Sequence, residues 1–296
     1  MDAGKPPRAP IAGSEPSSGK DIVGSVVGAS VWAPSIHNTQ PWSFSADGGG
    51  ISLHADASRQ LPVADPSGRE MMVSCGAALF TARVALRSLG YIPETTVLPD
   101  SSEPLLVARI SWHRLAAPTE FESRLFGQVR QRRTHRGGFG PLPLPASLIS
   151  VLQEGAEHDG ATLRILGDEA SRAMLAGIVQ EAEQALQADS AYLNEIAAWT
   201  SAPDSTRRDG VPVTSYPPGW GSTVARFAGR DFARGHRWGA ATMSSVPQGR
   251  SAGLVCLLTT TRDMPRDWVN AGQALQRILL TCAVSGVAAA LAQPAA

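Results

Sequence analysis

The apolar residues near the start of the chain repeat with the spacing of an amphipathic helix. They share one helical face and comprise Ile22, Val23, Val26, Val27 and Val31. We expect this helix to end before Pro34, because a residue that precedes proline is pushed out of the α region. Residues 42–46 and 51–55 then alternate between apolar and polar around Asp47-Gly48-Gly49-Gly50, which predicts a β-hairpin.

The rest of the chain continues an alternation of helices and strands. Residues 69–89 are apolar nearly all round and are followed by Gly90, which predicts a core or interface helix with a glycine C-cap. Further patterns predict strands at 105–112, 162–166 and 253–261, and helices at 120–131, 148–158, 168–188 and 267–285. Residues 278–296 carry no charge, but Ser285, Gly286, Gln293 and Pro294 favour the end of a buried helix followed by a central strand over a membrane span. These elements predict an α+β fold.

Two distant segments of the chain echo each other. Cys75-Gly76-Ala77-Ala78-Leu79 and Ala271-Gly272-Gln273-Ala274-Leu275 align at an offset of 196 positions, and the same offset relates Gly90 to Gly286. We expect two related core helices, each beginning with a glycine that permits close backbone approach and ending at the same C-cap. Chance agreement among small residues is the alternative. If the echo is real, the chain consists of two related halves.

Composition and charge disfavour several classes of function. The 296 residues are 43% hydrophobic, and 26 basic residues balance 26 acidic ones, so no overall field attracts nucleic acid or an anionic membrane. Cys75, Cys256 and Cys282 stand singly in apolar stretches, which predicts buried thiols in a reducing, cytoplasmic environment. The six histidines lack metal-ligand spacing, and residues 1–20 lack the apolar region of a signal peptide. We therefore expect neither a metal site nor secretion.

A polar segment between the first helix and the hairpin is the first candidate site. Residues 33–42 read Ala-Pro-Ser-Ile-His-Asn-Thr-Gln-Pro-Trp, a run of donors and acceptors stiffened by a proline near each end. Such a loop suits a polar, planar ligand. The alternative is an ordinary connection, because Ser, Asn and Thr are also common helix-terminus and turn residues.

A basic segment in the middle of the chain is the second candidate site. It contains Arg132, Arg133, Thr134 and Arg136 and continues to Phe139. Guanidinium groups bind phosphate oxygens bidentately and a threonine hydroxyl can add a further bond, so this cluster suits a phosphate monoester. The alternatives are a solvated basic run or a contact to a nucleic-acid backbone.

Two ordered motifs carry a resemblance to a known family. Pro-Ser-x-x-Asn-x-Gln-Pro-Trp at residues 34–42 resembles the motif of the nitroreductase-like flavoproteins, and Ser-x-His-Asn-Thr-Gln-Pro-Trp is similar to their single-chain Acg branch. Arg-Arg-Thr-x-Arg-x-x-Phe at residues 132–139 resembles the phosphate arm of the family, usually Arg-Arg-Ser-x-Arg-x-Phe, with one extra glycine. The resemblance covers about residues 22–294.

This resemblance implies a nitroreductase-like α+β fold, in which mixed and antiparallel sheets are flanked by long core helices. Members are usually homodimers with FMN at the interface. Here the loop lies in the first half and the arm in the second, which implies an intramolecular, fused pseudo-dimer with one FMN per chain. The halves would span residues 20–118 and 119–296 after a flexible lead at 1–19. Such a chain would function as a monomer, and further oligomerisation stays open.

The resemblance also implies a cofactor site, with the FMN phosphate on the arm and the isoalloxazine ring along the loop. The implied residues are Pro34, Ser35, Ile36, His37, Asn38, Gln40, Arg132, Arg133, Thr134 and Arg136. No catalytic side chain is expected, because FMN itself carries the chemistry.

Two functions from different classes are open at this point. The first is an oxidoreductase that transfers hydride from NAD(P)H through FMN to a nitroaromatic or quinone-type acceptor. The second is a non-catalytic FMN-binding or sequestering protein, for storage or stress, in which the proline-rich residues 201–221 form a lid over the flavin. Arg226, Arg230, Arg234 and Arg237 are interpreted as a solvated helix face, and the zero net charge disfavours nucleic-acid binding.

Overall fold

The computed structural model describes residues 19–135, 143–202, 205–212 and 253–291. The helices in these ranges are α1 (Gly19–Ser30), α2 (Arg69–Ser88), α3 (Glu120–Gln128), α4 (Ala146–His158), α5 (Glu169–Ala188), α6 (Ser190–Ala198) and α7 (Pro265–Val284). The strands are β1 (Trp42–Asp47), β2 (Gly50–Ala55), β3 (Tyr91–Val97), β4 (Leu106–Leu115), β5 (Thr162–Ile165), β6 (Thr200–Ser201), β7 (Val211–Pro212) and β8 (Cys256–Thr259). The predicted α+β class is confirmed. The basic stripe at residues 226–237 lies outside the described residues.

Four antiparallel strands form a sheet in the order β1-β2-β4-β3. The predicted hairpin is confirmed, since Trp42 pairs with Ala55 and a two-residue turn of Gly48 and Gly49 joins β1 to β2. Strand β3 is absent from the sequence-based expectations, because Pro93 interrupts its strand pattern. The sheet tolerates this proline because β3 is an edge strand and the ladder shifts register between Ile92 and Pro93.

Helix α2 lies at the centre of the larger hydrophobic core. Leu79 and Phe80 are fully or almost fully buried and belong to the same cluster as Leu53 of β2 and Ile110 of β4. Each such side chain contributes about 1.5–3 kcal/mol when it leaves water. The predicted core helix over 69–89 is confirmed with its last residue at Ser88, and Gly90 follows with a left-handed φ of 85°.

Helices α2 and α7 cross at unusually close range, at Gly76 and Gly272. A Cβ atom at Gly76 would overlap the carbonyl oxygen of Val269 and lie 3.0 Å from the Cα of Gly272. A Cβ atom at Gly272 would overlap the carbonyl oxygen of Val73 and lie 2.9 Å from the Cα of Gly76. The two backbones are therefore in direct contact, which only glycine permits.

The offset of 196 positions seen in the sequence also relates the two helices in the structure. It relates their first residues, 69 and 265, and their last, 88 and 284. It also relates Val73 to Val269, whose carbonyls meet the opposite glycines, and Gly90 to Gly286, which has a φ of 69°. The expectation that each helix begins with its glycine is wrong, because Gly76 and Gly272 lie at mid-helix, where the two axes cross. Helix α7 also starts two residues before the predicted Asp267, with Pro265 in its first turn.

The second core is built by α4, β5, β8 and α7. Strand β5 pairs antiparallel with β8, and Leu152, Leu163 and Ala274 lie buried together beneath them. The predicted helices at 148–158 and 168–188 are confirmed within two residues, and Asp168 caps α5 by accepting from the Ser171 N–H. Helix α6 was not predicted, and residues 287–291 form no strand where the sequence suggested a central one. Residues 292–296 lie outside the described ranges.

A buried carboxylate joins three helices across the two cores. Asp159, at the end of α4, has a side chain only 2% exposed and accepts from Arg277 Nε at 2.6 Å and from Arg83 Nη1 at 3.0 Å. Arg277 and Arg83 also lie over the Phe80 ring, at 4.7 and 5.7 Å from its centroid. Two cations thus compensate one buried anion, and the ion pairs fix the relative positions of α2, α4 and α7.

Substitution of Gly76 tests whether the direct backbone contact stabilises the packing of α2 against α7. Gly76→Ala should lower the free energy of unfolding by about 2 kcal/mol, because the added methyl group forces two packed backbones apart. Urea denaturation measures the change. Gly24→Ala in α1 is the matched control, since a Cβ there meets nothing within 4 Å and should stabilise by about 0.5–1 kcal/mol. Equal effects of the two substitutions would contradict the close contact.

Candidate functional site

The polar loop at residues 33–42 has an unusual backbone. After the 3₁₀ turn Ile36–Asn38, the chain runs directly into β1, and three non-glycine residues have positive φ: His37 at 42°, Asn38 at 54° and Gln40 at 51°. Left-handed backbone at such residues costs of the order of 1 kcal/mol each and persists only where other contacts hold it. Strain of this kind concentrates at binding sites and argues against the reading of this loop as an ordinary connection.

Helix α2 holds the loop from one side. The Ile36 N–H donates to Ser74 Oγ at 3.1 Å, and the Cys75 thiol donates to the Pro41 carbonyl at 3.2 Å. Within the loop, Ser35 Oγ accepts from the Gln40 N–H at 3.0 Å. Burial raises the pKa of the Cys75 thiol, so it acts as a neutral donor rather than as a thiolate nucleophile.

A segment of the second half, residues 205–212, holds the loop from the other side, and we call it the strap. Asn38 Nδ2 donates to the carbonyls of Arg208 at 3.2 Å and Gly210 at 2.9 Å, while the Gly210 N–H donates to the Asn38 carbonyl at 3.0 Å. Gln40 Nε2 donates to the same Arg208 carbonyl at 2.9 Å. Strand β7, the last two residues of the strap, pairs with β6, which anchors that end of the strap. The strap is the described part of the segment that the sequence analysis expects as a lid.

Charged side chains reinforce the contact between the strap and the loop. Arg59 Nη1 donates to the Thr39 carbonyl and to Asp209 Oδ2, both at 2.9 Å, and Arg207 Nε donates to Asp209 Oδ1 at 2.9 Å. Partial burial would raise the pKa of Asp209, but the hydrogen bonds from Arg207 and Arg59 outweigh it and lower the pKa. Such an ion pair is complete above the ordinary carboxyl pKa and is lost only as the pH falls through the lowered value. It therefore stays intact near neutrality.

The arginine arm follows α3, which is fixed on α2. Thr119 and Glu122 form a capping box at the start of α3, and Arg87 of α2 donates to Glu122 at 2.8 Å. The hydrogen bond from Arg87 lowers the pKa of Glu122, which keeps this pair charged. At the other end of the arm, the His135 N–H donates to the Ala289 carbonyl at 2.8 Å.

Trp32 brings the arm to the loop. The guanidinium carbons of Arg133 and Arg130 lie 5.8 and 5.7 Å from the centroid of the Trp32 ring, within the range of a cation–π contact. Arg133 Nη1 also donates to the carbonyls of Arg130 and Arg132. Because Trp32 directly precedes the loop, Arg133 of the arm lies next to the start of the loop, although about a hundred residues separate them in the sequence.

The structure assigns different surroundings to the ten residues expected from the sequence. Pro34, Ser35 and Ile36 are half-buried at the start of the loop, and His37 is buried. The amides of Asn38 and Gln40 bind the strap. Arg132 and Thr134 are half-buried and Arg133 is exposed on Trp32. Arg136 lies outside the described residues.

Sequence reasoning missed the side chains that connect these parts. Ser74, Arg59 and Trp32 belong to no motif, and the contacts that give them a role span 20 to 150 positions. Two signals were present in the sequence: Trp32 directly precedes the loop, and Asp209-Gly210 stands within the segment expected as a lid. Neither signal indicates which residues Trp32 or Asp209 contacts in the folded chain.

Two further classes of site find no support in the described ranges. No group of three or more metal-ligating side chains occurs there. None of the described helices combines the length and the hydropathy that a bilayer span requires.

Comparison with known proteins adds an independent observation. No protein-family model matches the chain. The chain is 31% identical over 268 residues to "Putative NAD(P)H nitroreductase Rv3131" of Mycobacterium tuberculosis, an alignment that covers 90% of this chain and 75% of that relative. It is 29% identical over 269 residues to "Putative NAD(P)H nitroreductase acg" of the same organism, which covers 90% of this chain and 78% of the relative. The chain belongs to the Acg-type branch of the nitroreductase-like family.

A third similar protein carries no activity in its name. "Uncharacterized protein Rv3127" of Mycobacterium tuberculosis is 28% identical over 264 residues, 86% of this chain and 73% of the relative. The similarity to these relatives extends over 86–90% of the chain and is therefore not confined to the two motifs.

The hydrogen bonds between the strap and the loop of this Acg-type chain can be tested by proteolysis. Asn38→Asp keeps a residue type that tolerates positive φ but removes both Nδ2 donors, each worth about 1 kcal/mol. We expect trypsin to cleave after Arg207 and Arg208 about tenfold faster, as measured by mass spectrometry of timed digests. Asn194→Asp, at an exposed position of α6, is the matched control. Unchanged cleavage in Asn38→Asp would show that the amide does not hold the strap.

Proposed function

We propose that the protein is an FMN-dependent oxidoreductase that takes electrons from NAD(P)H and reduces a nitroaromatic or quinone-type acceptor. One observation carries the proposal: the loop and the arginine arm, from opposite parts of the chain, meet at Trp32. Their proximity is what a phosphate-bearing, planar cofactor requires. The names of the relatives Rv3131 and acg support the same reaction class.

The arginine arm suits the phosphate of FMN. Arg133 uses only Nη1 for protein acceptors among the described residues, so its Nε and Nη2 groups are available to an anion. Arg132 and the Thr134 hydroxyl stand next to it in sequence and supply further donors. The donor chemistry therefore fits a phosphate monoester, and Trp32 positions Arg133 by packing against its guanidinium group.

The loop suits the planar part of the cofactor. Pro34, Ser35 and Ile36 present a half-exposed surface whose shape is fixed by Ser74 and by the closure of Ser35 on the Gln40 N–H. In this proposal Asn38 and Gln40 contribute by fixing the strap over the loop. Their side-chain amides would influence the cofactor indirectly, because they fix the position of the strap.

The chain is proposed to be a fused pseudo-dimer with one FMN. The reciprocal contact of Gly76 and Gly272, and the matching bounds of α2 and α7, support an approximate twofold relation between the halves. The loop occurs only in the first half of the sequence and the arm only in the second. One complete site per chain follows.

The bound flavin would supply the redox chemistry, so the protein needs no acid, base or nucleophile of its own. The arm would bind the phosphate, the loop would orient the ring, and the strap would limit the access of water. The buried Cys75 thiol would keep the Pro41 carbonyl in place.

A second candidate function is a protein that holds FMN without turning it over. The observation that favours it is the number of bonds between strap and loop: four hydrogen bonds, reinforced by the Arg59–Asp209 ion pair. A strap fixed in this way would deny a nicotinamide access to the ring.

One spectroscopic experiment distinguishes the two functions. The protein is purified without added flavin, and the flavin absorbance near roughly 450 nm is followed after anaerobic addition of NADPH or NADH. Bleaching within seconds supports the oxidoreductase. A yellow protein that dithionite bleaches but nicotinamides do not supports sequestration. A colourless protein that takes up no added FMN would contradict the cofactor assignment.

The phosphate assignment predicts a specific loss of affinity. Arg133→Ala should weaken FMN binding about tenfold or more, because it removes a charge-assisted bond worth about 1.5–3 kcal/mol. The quenching of flavin fluorescence on binding gives the dissociation constant. Arg164→Ala, an exposed arginine on β5, is the control and should leave the affinity unchanged. Equal affinity in both variants would remove Arg133 from the site.

A further inference from the structure

A cavity of about 540 Å³ lies beside the loop, between α1, the start of β1 and the strap. Of the ten residues expected to bind the cofactor, Gln40 alone lines it. Its volume falls within the range of about 300–1,000 Å³ that is typical of small-molecule sites. The cavity is therefore large enough for a ligand of its own.

One wall of the cavity is apolar and aromatic. Val27 comes from α1, Val31 directly follows that helix, and Trp42 and Phe44 come from β1. Val31 is 42% exposed although it is a large apolar residue. A flat aromatic ligand could cover this surface and remove it from water, a gain of the usual hydrophobic kind.

The charged residues that line the cavity are Arg59, Arg208, Asp56 and Asp209. Asp56 and Asp209 both pair with Arg59, and Asp209 also pairs with Arg207. Arg208 lines the cavity as well and is exposed, and its guanidinium group has no protein acceptor among the described residues. Two arginines and two aspartates thus line the cavity, and Arg208 is the lining cation without a carboxylate partner among the described residues.

The backbone of Arg208 is held by the loop, whereas its guanidinium group has no acceptor among the described residues. Its carbonyl accepts from Asn38 Nδ2 and from Gln40 Nε2, so the loop determines where the side chain begins. An arginine that lines a cavity together with apolar and aromatic residues matches a ligand with an aromatic body and a terminal carboxylate, which a guanidinium group can bind bidentately.

We propose that this cavity binds an aromatic carboxylate at a site separate from the flavin, with Arg208 on the carboxylate and Trp42, Phe44 and Val31 against the ring. The proposal does not depend on the presence of FMN.

Isothermal titration of the full chain with biphenyl-4-carboxylate tests the proposal, and the neutral biphenyl-4-carboxamide serves as the uncharged ligand. We expect the carboxylate to bind with a dissociation constant of about 0.1–1 mM, as befits a ligand of this size. Arg208→Gln should weaken the carboxylate about tenfold and leave the amide unchanged, because only the carboxylate uses the guanidinium charge. The substitution retains the backbone carbonyl that accepts from Asn38 and Gln40.

A matched control and a second variant complete the experiment. Arg164→Gln removes a charge from the remote strand β5 and should leave both ligands unaffected. Val31→Glu places a carboxylate on the exposed apolar wall and should abolish binding of the carboxylate ligand. The proposal is overturned by an absence of saturable binding at millimolar ligand, by equal losses in Arg208→Gln and Arg164→Gln, or by competition between the carboxylate and added FMN.

Discussion

The direct backbone contact between α2 and α7 at Gly76 and Gly272 is the constraint on which the rest of this molecule depends. The residues on either side of this crossing also support the candidate site, because Ser74 and Cys75 lie in the same helical turn as Val73 and Gly76 and bind the loop. A side chain at either glycine would separate the helices and shift that turn. The packing of α2 against α7 and the shape of the loop are thus set at one place.

The loop keeps its strained backbone because it is held from two directions. Helix α2 binds Ile36 and Pro41, and the strap binds Asn38 and Gln40. The strap thus binds two of the three residues with positive φ, and α2 binds the residues on either side of the strained stretch. A site of this kind is assembled only when segments distant in sequence come together, which suits a function that depends on a precise arrangement of backbone.

The sequence predicts local features well and long-range ones poorly. The hairpin at Gly48 and Gly49, the C-cap at Gly90 and the two motifs are encoded by neighbouring residues, and sequence reasoning recovers the family from them. Strand β3 escapes prediction because Pro93 is tolerated only at a sheet edge, which is a property of the whole sheet. The amides of Asn38 and Gln40 were expected to face a ligand, but the strap that binds them lies about 170 residues away. No pattern among neighbouring residues in the sequence predicts this contact between the loop and the strap.

The stability of the closed strap decides how open the candidate site is. Its four hydrogen bonds to the loop contribute about 0.5–1.5 kcal/mol each, and the partly exposed ion pair adds about 1 kcal/mol or less. The left-handed backbone at His37, Asn38 and Gln40 offsets about 1 kcal/mol at each position. The remainder is about 4 kcal/mol or less, which lies within the range that ligand binding can supply. Because the lowered pKa of Asp209 keeps its ion pairs intact near neutral pH, acidification in that range does not release the strap. A ligand that competes for the loop would release it, so differential binding, rather than pH, would distinguish the two proposed functions.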